Sequence, residues 1–219
     1  LDELSSAREY DVWRAADIFA AHGKAERILP LMRERAKGDR TRRIKEWLKD
    51  YAKEHNQPEE AYGWIEDLFW QRPSLERYDE LKASAQAIDH WDETRPELLK
   101  RLADEHPETL VEIHLHENDI DAALAAFEAL ENQRQQRRYI AYSVSNLRLR
   151  VAAAAADSHP YQAIELYMHE IRRLIAVRGR DNYAEAAKLL QRVRTIFKEQ
   201  GETNEIGRAS CRERVCHRV

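Results

Sequence analysis

The feature that most constrains the fold is the recurrence of apolar residues every three or four positions, in short blocks separated by tight breaks. Val12, Ala16, Phe19 and Ala20 form one stripe that Gly23 ends; Ile28, Leu31 and Met32 form the next, with Pro30 as a kink inside it. Ile44, Leu48, Tyr51 and Ala52 follow, and Pro58 then stands at a first-turn position before Ala61, Tyr62, Ile65, Leu68 and Phe69. Pro73 stops that helix and Ser74 caps one carrying Leu75, Tyr78, Leu81 and Ala85. Leu98, Leu99 and Leu102 come after Pro96, and the turn "ENDID" separates Leu110, Ile113 and Leu115 from Ala123, Leu124 and Phe127. A long block over 134–156 carries Tyr139, Tyr142, Leu147 and Val151, with a break near Ser143–Asn146. Ser158 then caps a helix from Pro160 that bears Ile164, Tyr167, Met168, Ile171 and Ile175, and Tyr183, Ala187, Leu190, Val193 and Phe197 close the series. The spacing predicts an all-α chain of about eleven helices in stacked antiparallel hairpins.

Only six glycines and six prolines occur in 219 residues, and 35% of the chain is charged, a balance that favours helix over sheet. The hairpins resemble one another in a small residue placed just after each turn, at Ala25, Ala61, Ala122, Ala163 and Ala186, where helices must approach closely. Ala152 is expected to lie outside these contacts. The intervals are 36, 61, 41 and 23 residues, and only the first is near the 34-residue tetratricopeptide period. The expected fold is an irregular tetratricopeptide-like α-solenoid.

The chain ends in "EIGRASCRERVCHRV", which holds both cysteines, Cys211 and Cys216, beside His217. Structural zinc draws on two separated ligand pairs, and no second pair exists. Ile206 to Val215 resembles the in-frame translation of a sequencing-library adapter, so residues 206–219 are expected to be an extrinsic, disordered and metal-free tail to a helical-repeat domain of 1–205. The first residue is Leu, and "LDELSSAREYDVW" has neither a basic start nor an apolar run, so the chain is expected to be an internal fragment of a longer protein. No apolar stretch approaches membrane-spanning length. The lack of cysteine before the tail agrees with a cytoplasmic location. The net charge is −4; without the four arginines and one glutamate of Ile206–Val219, 32 basic residues face 39 acidic ones, which gives −7 and argues against a nucleic-acid grip spread over the whole surface.

The stretches "RPSLERYDELKA", "ETLVEIHLHENDIDAALAAF" and "RLRVAAAAADSHPYQAIELYMHEIRRLIAVRGRDNYAEAAKLLQRVRTIFKEQGE" resemble the C-terminal helical region of bacterial SWIM zinc finger family proteins. The resemblance covers roughly Arg72 to Glu202. It implies a tetratricopeptide-like scaffold and a further helix after the last one here. The zinc of such proteins is carried by a C-x-C…C-x-H motif upstream, which this chain lacks, so no metal-binding role is implied for any residue here.

Candidate chemistry is sparse. His114 and His116 lie two residues apart, about 200° around a helix, and cannot share a metal. Glu59 with Glu60, and Asp119 with Asp121, read as carboxylates favouring helix starts rather than as acid and base pairs. No phosphate loop, nucleophile elbow or H-E-x-x-H motif is present. The expectation is a protein that is not an enzyme and has neither cofactor nor small-molecule substrate. The segment "RERAKGDRTRRIKEW" is the strongest binding candidate: Arg40, Arg42, Arg43 and Lys45 would meet phosphates, and Trp47 and Tyr51 would stack a base. Trp70 is the candidate contact for a protein partner, while Phe69 is expected in the core. The leading expectation is therefore a non-enzymatic scaffold that binds a protein in cis or in trans, and the alternative is a nucleic-acid accessory module using residues 33–45.

Overall fold

A computed structural model of the protein describes residues 8–38, 41–137 and 143–201, apart from the side chains of 134–137 and 143–145. The helices are α1 (Glu9–Ala21), α2 (Leu29–Ala36), α3 (Arg42–Glu54), α4 (Pro58–Gln71), α5 (Leu75–Ala87), α6 (Trp91–Glu105), α7 (Pro107–His116), α8 (Ile120–Arg137), α9 (Ser143–Ala155), α10 (Pro160–Val177) and α11 (Arg180–Glu199). A short 3-10 turn, Ala25–Arg27, precedes α2, and no strand occurs among the described residues. The expectation of an all-α chain holds, and α1 to α5 and α7 to α11 each pack on their sequence neighbours as stacked hairpins require.

The turns that make the hairpins share one backbone device. Gly23, Asn56, Asp89 and Asn118 all have φ between 55° and 64°. After each, the next amide reaches back across the helix end: Lys24 to the Phe19 carbonyl at 2.8 Å, and Gln57 to Ala52, His90 to Ala85 and Asp119 to His114, each at 2.9 Å. This six-to-one closure satisfies carbonyls that a helix end leaves unpaired, and it needs a residue that tolerates the left-handed region. The four positions are 33, 33 and 29 residues apart. At its turns the array is thus more regular than the alanine spacings suggested.

Two compact units divide the chain inside α6, between Leu102 and Ala103. In the first, Val12, Ala16, Ile28, Met32, Ile44, Leu48 and Tyr51 make a core from α1, α2 and α3, and α4 and α5 continue the series. Thr41 precedes α3 but turns its hydroxyl back to the Ala36 and Gly38 carbonyls, so the Glu9 carboxylate of α1 takes the Arg43 amide at 2.8 Å in its place. In the second, Val111, Phe127, Leu130, Leu147 and Val151 pack α7, α8 and α9 together. Ala152, Ala163, Tyr167, Ile171, Leu189, Val193 and Ile196 pack α9, α10 and α11.

Several local expectations are corrected. Pro30 does not kink a helix; it sits in the first turn of α2. Pro96 lies inside α6, which begins five residues earlier at Trp91. Ser158 does not cap α10: His159 holds the cap position without a side-chain cap, and Ser158 bonds the His159 ring at 2.9 Å. Ala186 lies within α11, after the turn from α10, and does not match the turns that precede α4, α8 and α10. Ala152 is fully buried, like Ala61 and Ala163, so it offers no uncrowded contrast to them. By contrast, Phe69 is fully buried as expected, and Ser74 accepts the Arg77 amide at the start of α5.

Of the block over 134–156, residues 134–137 end α8 and 143–155 form α9; Tyr139 and Tyr142 lie outside the described residues. So do Arg40 and the segment 206–219 with both cysteines. No helix among the described residues is long and apolar enough to cross a membrane.

Candidate interaction surfaces

The basic segment is distributed over faces that do different work. Lys45 points inward from α3: it is 8% exposed and its ammonium lies 2.7 Å from Asp67 of α4. Arg33 is held by a two-pronged bond to Glu60, at 2.8 Å on each arm. The Arg33 hydrogen bond holds Glu60 below the usual carboxylate range, and the same bond raises Arg33. Arg42 and Arg43 are exposed, Arg42 beside Glu46 at 3.5 Å. The Arg43 guanidinium stands 5.4 Å from the centre of Trp13 and 5.7 Å from that of Tyr10, within cation–π range. Arg42 and Arg43 thus share the surface, and Lys45 does not join them.

Trp47 and Tyr51 do stack, with ring centres 5.3 Å apart, and His55 continues the stack at 3.8 Å. Their surroundings are acidic rather than basic, because the groove they line is completed by Asp17, Glu26, Asp50 and Glu54. Trp70 is half-buried against Phe69, and the Arg101 guanidinium lies 3.9 Å from its ring centre, so one face of the indole is already occupied.

Lys49 anchors a lattice of ion pairs along α3, α4 and α5. Its ammonium meets Glu46 at 3.0 Å and Glu80 at 3.2 Å, and Lys53 reaches Glu80 at 2.7 Å. Burial alone would lower Lys49 and raise Glu80, but the pairing outweighs it, so Lys49 lies above and Glu80 below the ordinary values. Arg77 adds a contact to Glu46 and another to the Leu68 carbonyl. In the second unit Arg148, 6% exposed, links Glu131 of α8 to Glu170 of α10, and Arg173 closes on the same Glu170.

His114 is buried and His116 exposed, so the two point apart as their spacing required. Glu59 and Glu60 stand in the first turn of α4 and Asp121 in that of α8. The Asp119 carboxylate accepts the Ala122 amide at 3.1 Å, and Asp121 meets His159 at 2.9 Å. Asp119 thus bonds a helix start directly, while Glu60 and Asp121, in first turns, also hold Arg33 and His159.

Tyr161, Ile175, Val177, Tyr183 and Leu190 are 45% to 60% exposed, and α10 and α11 carry all five. On α11 the buried residues are Ala186, Leu189, Val193 and Ile196. The anticipated stripe through Tyr183, Ala187, Leu190, Val193 and Phe197 is mostly a neighbouring face: Tyr183, Ala187 and Leu190 are exposed, Phe197 is half-buried, and only Val193 of that set is in the core. Compared with protein-family models and with curated proteins, the chain matches none of them.

Proposed function

We propose that the chain is a non-enzymatic helical-repeat scaffold for protein–protein interaction, as its resemblance to the C-terminal helical region of bacterial SWIM zinc finger proteins implies. The observation that carries this reading is the set of large apolar side chains exposed on α10 and α11. A monomeric surface tolerates scattered apolar residues, but their concentration on two neighbouring helices marks a place where another polypeptide packs. The hairpin stack supplies the rigid backing such a contact needs.

The partner sits in cis, as a further part of the same protein, or in trans. A photo-crosslinking residue in place of Leu190, in cells that produce the protein naturally, is expected to yield a discrete adduct with one polypeptide. The adduct is expected to disappear when Tyr183 and Val177 are changed to Glu. A diffuse set of adducts that ignores those changes contradicts the proposal.

The alternative nucleic-acid role has less support, since Lys45 and Arg33 are held by carboxylates and the Trp47–Tyr51 stack lies among acidic groups. At 50 mM salt the chain is expected to give no retardation of a DNA or RNA probe. A shift lost on changing Arg42 and Arg43 to Glu would instead establish that role.

A further inference from the structure

The core-facing residues of α11, Ala186, Leu189, Val193 and Ile196, advance by steps of three, four and three. Beside them runs a second series, Tyr183, Ala187, Leu190, Arg194 and Phe197, at steps of four, three, four and three. Tyr183 and Leu190 are 49% and 45% exposed, Ala187 and Arg194 are exposed, and Phe197 is half-buried. The helix therefore carries two seams, one closed against its own unit and one open. Alternate steps of three and four are the interval at which one helix meets another laid along it. From Tyr183 to Phe197 the open seam runs about 21 Å, roughly four turns.

Charge is sorted across the same helix. At about 100° per residue, Arg180, Arg194 and Lys198 fall on the flank of the open seam, whereas the acids of α11, Asp181, Glu185 and Glu199, fall on the opposite flank. Glu185 is paired there with Lys188 at 3.0 Å, and no ion pair among the described residues holds Arg180, Arg194 or Lys198. A second copy of this face would bring three more cations and no acid. The segment 206–219, with four arginines and one glutamate, would add to the like charge. A phosphate backbone would meet the cations but leave Tyr183, Leu190 and Phe197 uncovered.

We propose that the open seam of α11 docks an amphipathic helix of a partner polypeptide whose apolar stripe is flanked by carboxylates, an inference that rests on the scaffold reading and names the chemistry of its contact. The partner's stripe covers Tyr183, Ala187, Leu190 and Phe197. Arg194, inside the seam, lays its aliphatic stem along that stripe and carries its guanidinium out to a carboxylate at the edge. Arg180 and Lys198 meet further acids beside the two ends of the seam, so charge sets which helix is accepted while apolar burial holds it.

The test is fluorescence anisotropy of labelled three-heptad peptides titrated with the whole chain at ~0.15 M salt, where only near charges act. The probe carries leucine at the two seam positions of each heptad and glutamate beside them; one control has lysine at the flanks and another serine in the seam. The glutamate peptide is expected to bind saturably, about tenfold or more tighter than either control. Arg194→Glu together with Lys198→Glu alters only exposed side chains and is expected to reverse the preference, so that the lysine peptide binds tighter, a gain that an unfolded variant could not show. Leu190→Glu is expected to remove binding of both. Equal affinity for the glutamate and lysine peptides, no saturable binding, or a preference that survives the double variant overturns the assignment. A discrete Leu190 adduct in cells beside equal peptide affinities removes the acidic helix and leaves the scaffold reading, whereas a preference for the glutamate peptide beside diffuse adducts upholds the chemistry of the seam and removes the scaffold reading.

Discussion

Glu170 is a carboxylate with 2% of its surface exposed, and the chain keeps it charged by surrounding it with guanidinium groups. Burial pushes its carboxyl up, but Arg173 and Arg148 outweigh that effect and hold it below the ordinary range. A depressed carboxylate contributes stability above its unfolded pKa, about 4.3, and loses the contribution as the pH falls through the lower folded value. Thermal melts of the parent chain are therefore expected to fall as the pH drops below about 4.3. Glu170→Gln is expected to cost on the order of 3 kcal/mol at pH 7 and to flatten that acid limb. A variant that melts like the parent at pH 7 would mean that the network contributes nothing. Such pairs were not legible in the sequence: Lys45 meets a carboxylate 22 residues away, and Arg148 meets one at the same interval, so neither is implied by helical spacing. A basic run therefore read as a surface even though two of its cations were committed to other helices.

At the scale of the element, helical periodicity was enough to place most helices, because each amphipathic block needs only its own residues to be recognised. The turns were harder, since Gly, Asn and Asp carry the same left-handed conformation under different names. Asn118→Gly is expected to be neutral or slightly stabilising, while Asn118→Val costs about 1–2 kcal/mol, as denaturant melts will report. Equal stability of the two would remove the shared turn device. The register of α11 gives a second test. Leu190→Glu is expected to stay within about 0.5 kcal/mol of the parent because the site is exposed, whereas Val193→Glu buries a charge and destabilises strongly. Similar losses for both would restore the stripe first read from the sequence. For the small positions, Ala61→Leu, Ala152→Leu and Ala163→Leu are each expected to cost about 1–3 kcal/mol, since all three sites are closed.

Over the whole molecule, the first helical unit presents an acidic groove beside stacked aromatic rings and two exposed apolar side chains, Tyr10 and Ile18, while the second exposes five on α10 and α11. The fold class could be read from one dimension because helix formation and pairwise packing are largely local. The surfaces could not, because which aromatic faces an acid, and which apolar residue is left over, depend on helices distant in sequence. The central claim is that α10 and α11 meet another polypeptide in the natural assembly. Hydroxyl-radical footprinting reads side-chain exposure directly, so the decisive comparison is between the isolated chain and the same chain inside its native complex. The account predicts that oxidation of Tyr161, Ile175, Tyr183 and Leu190 falls several-fold in the complex, while buried Leu81 reacts little in both states. Equal oxidation of those four side chains in the two states would contradict it.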